Sequence, residues 1–236
     1  MLEIKQVERG SLFMNIKLFF QAIIKFILGV IIIGLLLFLP ANTINYWNGW
    51  LFMGLLFIPM FIAGVVMMIK SPYLLKKRLN AKEKEKEQKQ VILFSGLMFL
   101  TGFIIAGLNY KYNWIVIPNS VVIVSSVIFI IAYILYAEVL RENRYLSRTI
   151  EVQENQKVVD TGLYGIVRHP MYATTILLFL SMPLVLGSII SFVIFLVYPF
   201  IIAKRIKNEE EVLEKELEGY SDYKKKVKYK MIPFIW

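Results

Sequence analysis

The segment GLYGIVRHPMYATT, from Gly162 to Thr175, contains the only histidine of this 236-residue chain, His169. An arginine precedes this imidazole, a proline follows it, and a long apolar run begins a few residues later. Because an imidazole changes its charge near neutral pH, a single one beside an apolar segment can serve as a base, a proton donor or a ligand contact. Taken by itself, a histidine next to a proline is more often a helix cap or an interfacial residue than a catalyst.

The local pattern Arg168-His169-Pro170 predicts that a helix begins at this point. Proline suits the first turn of a helix because its missing N–H has no intrahelical partner there. The start of a helix also offers free backbone N–H groups, which favour a negatively charged ligand. The segment therefore predicts a helix start that can also be a binding site.

A second set of chemically capable residues lies in the segment KRIKNEEEVLEKE, which begins at Lys204. Arg205, Glu209 and Leu213 recur every four residues and therefore share one face of a helix. A guanidinium can clamp a carboxylate or phosphate through two hydrogen bonds, and a glutamate at the membrane surface can hold an ammonium or lie near a sulfonium. The run Glu209–Glu211 is also compatible with a plain solvated helix face.

The composition shows which kind of protein must position these residues. Hydrophobic residues make up 58% of the chain, which is typical of a membrane protein. The absence of cysteine excludes disulfides and thiolate nucleophiles, and a single histidine argues against a zinc or di-iron centre, so no metal site is expected. The net charge of +10 is interpreted as membrane topology and contact with anionic lipid, with no nucleic-acid partner.

Apolar runs close to the roughly 20 residues needed to cross a bilayer recur along the chain. The first four predicted spans are Ile23–Leu39 (ended by Pro40), Trp47–Ile69, Val91–Leu108 and Trp114–Ala137. The last apolar region, Met171–Ala203, is too long for one span and is interrupted by LGS at Leu186–Ser188. It predicts a tight helical hairpin with arms of about 15 residues, which could be tilted or only partly embedded.

The basic residues are distributed very unevenly. Nearly all of the 27 lysines and arginines fall before the first span, in the loop Lys70–Gln90, between Arg141 and Arg168, or from Lys204 onward. The segment Pro40–Asn45 has none, and Asn109–Asn113 has only Lys111. The positive-inside rule then places both termini and the two long loops in the cytoplasm, which agrees with six crossings.

Two further features are interpreted without a binding role. The run KEKEKEQK, Lys82 to Lys89, alternates in sign and is typical of a solvated helix between spans. Tyr220 and Tyr223 are most simply interfacial anchors. The predicted fold is an all-α polytopic integral membrane bundle of five to six transmembrane helices, which ends in a helical hairpin and a cytoplasmic C-terminal helix. Residues 1–236 form one membrane domain.

A hairpin brings its two cytoplasmic ends together, so the segments 141–172 and 204–236 are expected to form one polar pocket. His169 and Arg205 would then lie in the same pocket although they are distant in sequence. Residues 1–90 would be an N-terminal helical pair with a charged cytoplasmic loop, and residues 91–236 would carry the pocket.

The ordered motifs GLYGIVRHPMY, LGS, RIKNEEEVL, GYSDY and the closing IP resemble the isoprenylcysteine carboxyl methyltransferase family. More distantly they resemble the phospholipid N-methyltransferases. The resemblance is best from about Arg141 onward, and RENRYLSRTIEVQ is typical of bacterial members. It implies an integral membrane enzyme, here of a bacterial cytoplasmic membrane, that uses S-adenosylmethionine and leaves a methyl ester. Residues 91–236 would then be its catalytic core.

The resemblance also implies site residues. Arg205 would contact the substrate, and Arg205 and Glu209 would be the catalytic residues. The implied cofactor contacts are Gln153, Gln156, Lys157, Val158, Val159, Tyr164, His169, Pro170, Met171, Tyr172, Glu209 and Glu210. No glycine-rich strand–loop–helix is present in the sequence, so a Rossmann-type cofactor site is not expected.

Transfer of a methyl group from a sulfonium is an in-line displacement, and a carboxylate acceptor is already ionised at neutral pH. Alignment and water exclusion would then suffice, and His169 would orient the cofactor without abstracting a proton. The acceptor would be a lipophilic small molecule or lipidated group that enters from the bilayer among the membrane lipids. Two alternatives stay open: an amine acceptor, which needs a base, and a non-catalytic lipid-binding membrane protein.

Overall fold

A computed structural model describes the backbone of residues 2–79, 86–146, 150 and 152–236, and the side chains of these residues except 2–15 and 86–88. All regular structure in these residues is helical. The α-helices are α1 (Leu2–Ala41), α2 (Trp47–Lys70), α3 (Pro72–Leu79), α4 (Lys86–Tyr112), α5 (Asn119–Glu142), α6 (Pro170–Val185), α7 (Ile189–Phe195), α8 (Tyr198–Glu216) and α9 (Tyr220–Lys226), with a 3-10 turn at Gly162–Gly165.

In the part of the chain that the structure describes, five helical segments are long and apolar enough to cross a membrane. They are Ile16–Ala41, Trp47–Lys70, Lys89–Tyr112, Asn119–Glu142 and Ile189–Glu216, while the apolar helix Pro170–Val185 is shorter. Their outer faces carry exposed side chains such as Ile31, Ile62 and Ile134. Because lipid is as apolar as these side chains, such exposure fits a membrane bundle. The predicted all-α polytopic membrane fold is confirmed.

Two predicted span boundaries differ from the structure for reasons that involve proline. Helix α1 includes Pro40 and ends one residue later, at Ala41, because a helix rarely continues past a proline. The fourth span begins at Asn119 rather than Trp114, since Pro118 is extended (ψ 144°) and is the cap of α5. The charged run Lys82 to Lys89 lies almost entirely outside the described residues and stays a prediction.

The predicted terminal hairpin is present, with its break at Leu186–Ser188. Gly187 has φ +76°, a left-handed conformation that favours glycine. The Ser188 hydroxyl then accepts a hydrogen bond from the Ser191 N–H (3.2 Å) and caps α7. The returning arm consists of α7 and α8, which are separated by a bend at Leu196–Val197.

The hairpin tip, Leu186–Ser188 with the preceding Val185, is held by polar side chains at the start of α2. The Tyr46 hydroxyl donates to the Leu186 carbonyl (2.5 Å), and the Asn48 amide donates to the Val185 carbonyl (3.0 Å). Both donors are buried. Helix ends leave carbonyl groups without intrahelical partners, so these side chains complete the hydrogen bonding of the tip.

The returning arm packs against α4 at a glycine. A Cβ atom on Gly102 would lie 2.3 Å from the Phe195 ring, so only glycine allows this approach. The Ser191 hydroxyl donates to the Gly102 carbonyl (2.8 Å), which adds a hydrogen bond to this close contact. The arm is thereby fixed along the core, and its polar end, α8, returns toward the start of α6.

Candidate functional site

The hairpin mouth is the elbow Arg168-His169-Pro170, together with the α8 residues that face it. His169 occupies the position just before α6, without a capping side-chain bond, and Pro170 is the first residue of α6, which confirms the predicted helix start. The backbone N–H groups of Arg168 and His169 donate to the carbonyls of Tyr229 (2.9 Å) and Lys230 (2.7 Å). These bonds fasten the elbow to the closing segment of the chain.

Glu210 joins the elbow to α8 from inside the protein. Arg168 Nε lies 2.7 Å and His169 Nε2 lies 3.1 Å from the same carboxylate oxygen, Glu210 Oε1. All three side chains are buried. The Arg168 Nη1 group also donates to the carbonyls of Val227 and Lys228, each at 2.7 Å. A buried charge needs a partner of this kind, so Glu210 holds the elbow and the closing segment in place.

Tyr172 connects the two predicted catalytic residues. Arg205 Nε donates to the Tyr172 hydroxyl (2.8 Å), and that hydroxyl donates to Glu209 Oε2 (2.5 Å). Arg205 and Glu209 lie one turn apart on α8, as their spacing predicted. The structure therefore links guanidinium, phenol and carboxylate in one chain of hydrogen bonds.

A cavity opens beside this chain of hydrogen bonds. Its lining residues all come from the segments 141–172 and 204–236, the two that were expected to form the pocket. Nine of the predicted cofactor contacts line it: Gln156, Lys157, Val158, Val159, Tyr164, His169, Met171, Tyr172 and Glu209. The cavity therefore brings most of the predicted contacts to one place.

Four predicted site residues lie outside the cavity lining. Gln153 stabilises the loop that precedes the 3-10 turn. Its Nε2 donates to the Tyr145 carbonyl (2.5 Å), and its N–H donates to Gln156 Oε1 (2.9 Å). Pro170 begins α6, and Arg205 meets the cavity through Tyr172. Glu210 is bonded to the elbow, so we assign it to holding the elbow and not to the cofactor contact that the resemblance implied.

Several lining residues were not predicted: Asn143, Tyr145, Leu146, Ile150, Arg168, Leu213, Leu217, Tyr220 and Tyr223. Leu213 shares the helix face of Glu209 and could have been found from spacing alone. Tyr220 and Tyr223 are buried (4% and 6% exposed), so their interpretation as interfacial anchors was wrong. The feature of the sequence that could have indicated their burial is the pair of apolar neighbours, Leu217 and Val227.

Three tyrosines of the cavity, Tyr164, Tyr220 and Tyr223, are neutral hydrogen-bonding groups. Burial raises the pKa of Tyr164, of Tyr220 and of Tyr223. The Tyr223 hydroxyl donates to the Tyr164 carbonyl (2.8 Å), and the Asn143 amide donates to the Tyr164 hydroxyl (3.1 Å). These bonds tie α9 and the end of α5 to the 3-10 turn and set the shape of the cavity.

The lining suits a ligand that carries both charges and an aromatic group. Lys157 is a cation, Glu209 is an anion, and tyrosine rings and aliphatic side chains form much of the remaining wall. Tyrosine faces attract a sulfonium or ammonium. The hydroxyl of Tyr220 is buried and has no partner among the described residues. These residues fit S-adenosylmethionine, and the described residues hold no cluster of three potential metal ligands.

Comparisons with known proteins point to one family. Residues 121–215 match the sequence model of the isoprenylcysteine carboxyl methyltransferase family. The matched region begins before Arg141, contains the elbow and the Arg205–Glu209 face, and ends before GYSDY. Among curated protein sequences, none matches this chain significantly.

A solved structure shares the fold. It is that of the eukaryotic intramembrane Ras methyltransferase, isoprenylcysteine carboxyl methyltransferase, without a monobody. The similarity covers 100% of this chain and 87% of that chain, with 17% sequence identity and a TM-score of 0.53. Residues 121–215, which contain the elbow and the Arg205–Glu209 face of α8, are therefore similar to the isoprenylcysteine carboxyl methyltransferase family, and the chain as a whole shares the fold of this solved structure.

Proposed function

We propose that this protein transfers a methyl group from S-adenosylmethionine to the carboxylate of a lipophilic acceptor. The observation that carries the proposal is the chain of hydrogen bonds from Arg205 through Tyr172 to Glu209 beside the cavity. The Arg205 guanidinium, which would bind the acceptor carboxylate, belongs to this chain of hydrogen bonds, and the cavity beside it suits a sulfonium nucleoside. Residues 141–172 and 204–236 would carry this chemistry within a single membrane domain.

The cofactor would be held by the cavity lining. The side of the cavity before the 3-10 turn and at it consists of Gln156–Val159 and Tyr164. The side at the start of α6 consists of His169, Met171 and Tyr172, and the α8 side is Glu209. S-adenosylmethionine supplies an electrophilic methyl group on a positively charged sulfur. Glu209 and the tyrosine rings favour that positive charge, while Glu210 keeps the His169 ring oriented at the wall.

Arg205 would bind the acceptor carboxylate. Its Nε–H is directed to Tyr172, which fixes the plane of the guanidinium relative to the cavity. A carboxylate is ionised at neutral pH, so formation of the ester C–O bond with loss of the C–S bond releases no proton. His169 is bonded to Glu210 in the interior and needs no role as a base. Catalysis then consists of alignment and exclusion of water.

The proposed location of the site is the cytoplasmic face. The cavity is lined by two of the basic segments, 141–172 and 204–236, and the positive-inside rule assigns these segments, with both termini, to the cytoplasm. The acceptor tail would lie among the exposed apolar side chains of the spans. This geometry supports an acceptor drawn from the membrane lipids or a lipidated group.

The test is transfer of labelled methyl from S-adenosylmethionine into a membrane lipid extract by the purified protein. We expect label that is released by mild base, as for an ester. Base-stable label would indicate an amine acceptor, and absence of cofactor binding by calorimetry would indicate a non-catalytic lipid-binding protein. Either result would overturn the proposed reaction.

Variants of α8 connect the activity to the site. We expect Arg205→Ala and Glu209→Gln to reduce transfer by about 100-fold or more, because both disturb the alignment of acceptor and cofactor. Glu211→Gln is the matched control, since Glu211 belongs to the same run of glutamates but is exposed. Equal activity of the Glu209 and Glu211 variants would exclude Glu209 from catalysis.

A further inference from the structure

Tyr220 is the buried polar group of the cavity whose bonding is incomplete. Its ring packs with Leu217, Tyr223 and Val227, and the whole residue is 4% exposed. Its hydroxyl nevertheless has no hydrogen-bond partner among the described residues. Buried polar groups in folded proteins are almost always paired, so this hydroxyl points to a partner supplied from the cavity that it lines.

The surroundings of Tyr220 indicate the charge of that partner. Burial, and then the negative charges of Glu210 and Glu209, raise the pKa of Tyr220, while Arg168 opposes them. The phenol is therefore protonated at neutral pH, and its oxygen lies in a field to which two carboxylates and one guanidinium contribute. A positively charged donor is favoured at such a position, and an anion is disfavoured.

We propose that the Tyr220 hydroxyl accepts a hydrogen bond from the ammonium group of the amino-acid arm of the cofactor. This inference rests on the proposed function and names the part of the cofactor that lies beside α9. Tyr220 becomes a binding residue for the cationic arm, next to Glu209. The nucleoside would then contact the apolar side chains of the same wall, Leu213, Leu217 and Val158.

Helix α9 holds Tyr220 in position at the cavity. Tyr223 fastens α9 to the 3-10 turn through the Tyr164 carbonyl, and Arg168 fastens the residues that follow α9 through the carbonyls of Val227 and Lys228. The backbone around Tyr220 is thus held by contacts that do not use its hydroxyl. That hydroxyl is pre-positioned for a ligand at little ordering cost.

The test compares two unreactive ligands that differ by the ammonium alone: S-adenosylhomocysteine and its des-amino analogue. Their affinities are measured by calorimetry, with displacement titration for the weaker ligand, on the unchanged protein and on Tyr220→Phe. We expect the substitution to weaken S-adenosylhomocysteine by about 10-fold or more, the size of one hydrogen bond to a charged group. The des-amino analogue should change less than about two-fold, since it has nothing to donate to Tyr220.

Equal weakening of both ligands, or no change in either, would overturn the assignment to the ammonium. If the unchanged protein binds neither ligand, the proposed function itself fails, so the two failures are distinguishable. Tyr223→Phe is the matched control, because it removes a hydroxyl that is already bonded to the Tyr164 carbonyl. It should not distinguish between the two ligands. Thermal melting without ligand must show that Tyr220→Phe is folded.

Discussion

The two ends of the terminal hairpin are both polar and buried, yet they differ in kind. At the tip, neutral side chains meet backbone carbonyls: Tyr46 bonds to Leu186 and Asn48 bonds to Val185. At the mouth, Arg168 and His169 meet the carboxylate of Glu210. The tip closes a turn with neutral hydrogen bonds, whereas the mouth concentrates charge around a cavity.

The difference shows that buried polarity alone does not identify a functional site. The hydroxyl of Tyr46 is used by the fold, while the hydroxyl of Tyr220 has no partner among the described residues. Neutral, paired groups stabilise a turn. Charged groups and an unpaired hydroxyl beside a cavity can instead form bonds with a ligand. Substitutions at the two ends should therefore have different consequences.

The largest effect on stability is expected at the mouth, from Glu210→Ala. The change leaves Arg168 buried without its carboxylate, and loss of one partner of a buried ion pair costs about 3–5 kcal/mol. The free energy of unfolding in detergent, measured by denaturant titration, should fall accordingly. Glu211→Ala, an exposed neighbour, should change it little. If the two alanine variants are equally stable, the mouth is not held by Glu210.

An intermediate effect is expected from the same chemical change made at each end. Tyr46→Phe removes the donor to a buried carbonyl and should destabilise the protein by about 1–3 kcal/mol without altering the affinity for S-adenosylhomocysteine. Tyr220→Phe should show the reverse, with unchanged melting and weaker binding of that ligand. Thermal melting of both variants measures the loss of stability, and calorimetry measures their affinity for the ligand. A tip variant that weakens ligand binding without loss of stability would contradict the division between the two ends.

The smallest effect on stability is expected from an exposed ion pair that connects α9 to the loop before the 3-10 turn. Lys226 Nζ lies 2.8 Å from Asp160 Oδ2, and this hydrogen bond and charge lower the pKa of Asp160. A lowered pKa adds stability above the unfolded-state value, and this stability is lost as the pH falls through the folded-state value. The melting temperature of the unchanged protein should slightly exceed that of Lys226→Gln at pH 6, and the difference should vanish once the pH lies below the folded-state pKa of Asp160.

High salt should reduce the same difference, because exposed pairs are screened. The neutral tip supplies the contrast: the melting difference between the unchanged protein and Tyr46→Phe should not depend on salt. A salt-dependent difference at the tip, or a salt-independent one for Lys226→Gln, would show that charge does not separate the two ends.

Much of the fold was predictable because it depends on neighbours in sequence. Apolar runs of sufficient length predicted the spans, and LGS at Leu186–Ser188 predicted the turn of the hairpin. Boundaries near proline were less accurate, since Pro40 lies within the last turn of α1 and Pro118 delays the start of α5. The effect of a proline depends on its position in the helix, which hydropathy does not show.

Part of the candidate site was predictable for the same reason. The face shared by Arg205 and Glu209 follows from helical periodicity, and the helix start at Pro170 follows from local chemistry. The burial of Tyr220 and Tyr223 was not predictable in this way. An aromatic residue with a polar tip suits a membrane interface and a protein interior equally, and contacts with Leu217 and Val227 decided between the two.

The amino-acid sequence by itself determined the membrane-embedded helices, the hairpin and the set of residues able to do chemistry, because these depend on short-range periodicity and composition. Only the tertiary structure decided how the three adjacent glutamates differ: Glu209 lines the cavity, Glu210 is buried against Arg168 and His169, and Glu211 is exposed. Consecutive residues on a helix point about 100° apart. Their environments therefore depend on which neighbouring segment packs against each face of α8.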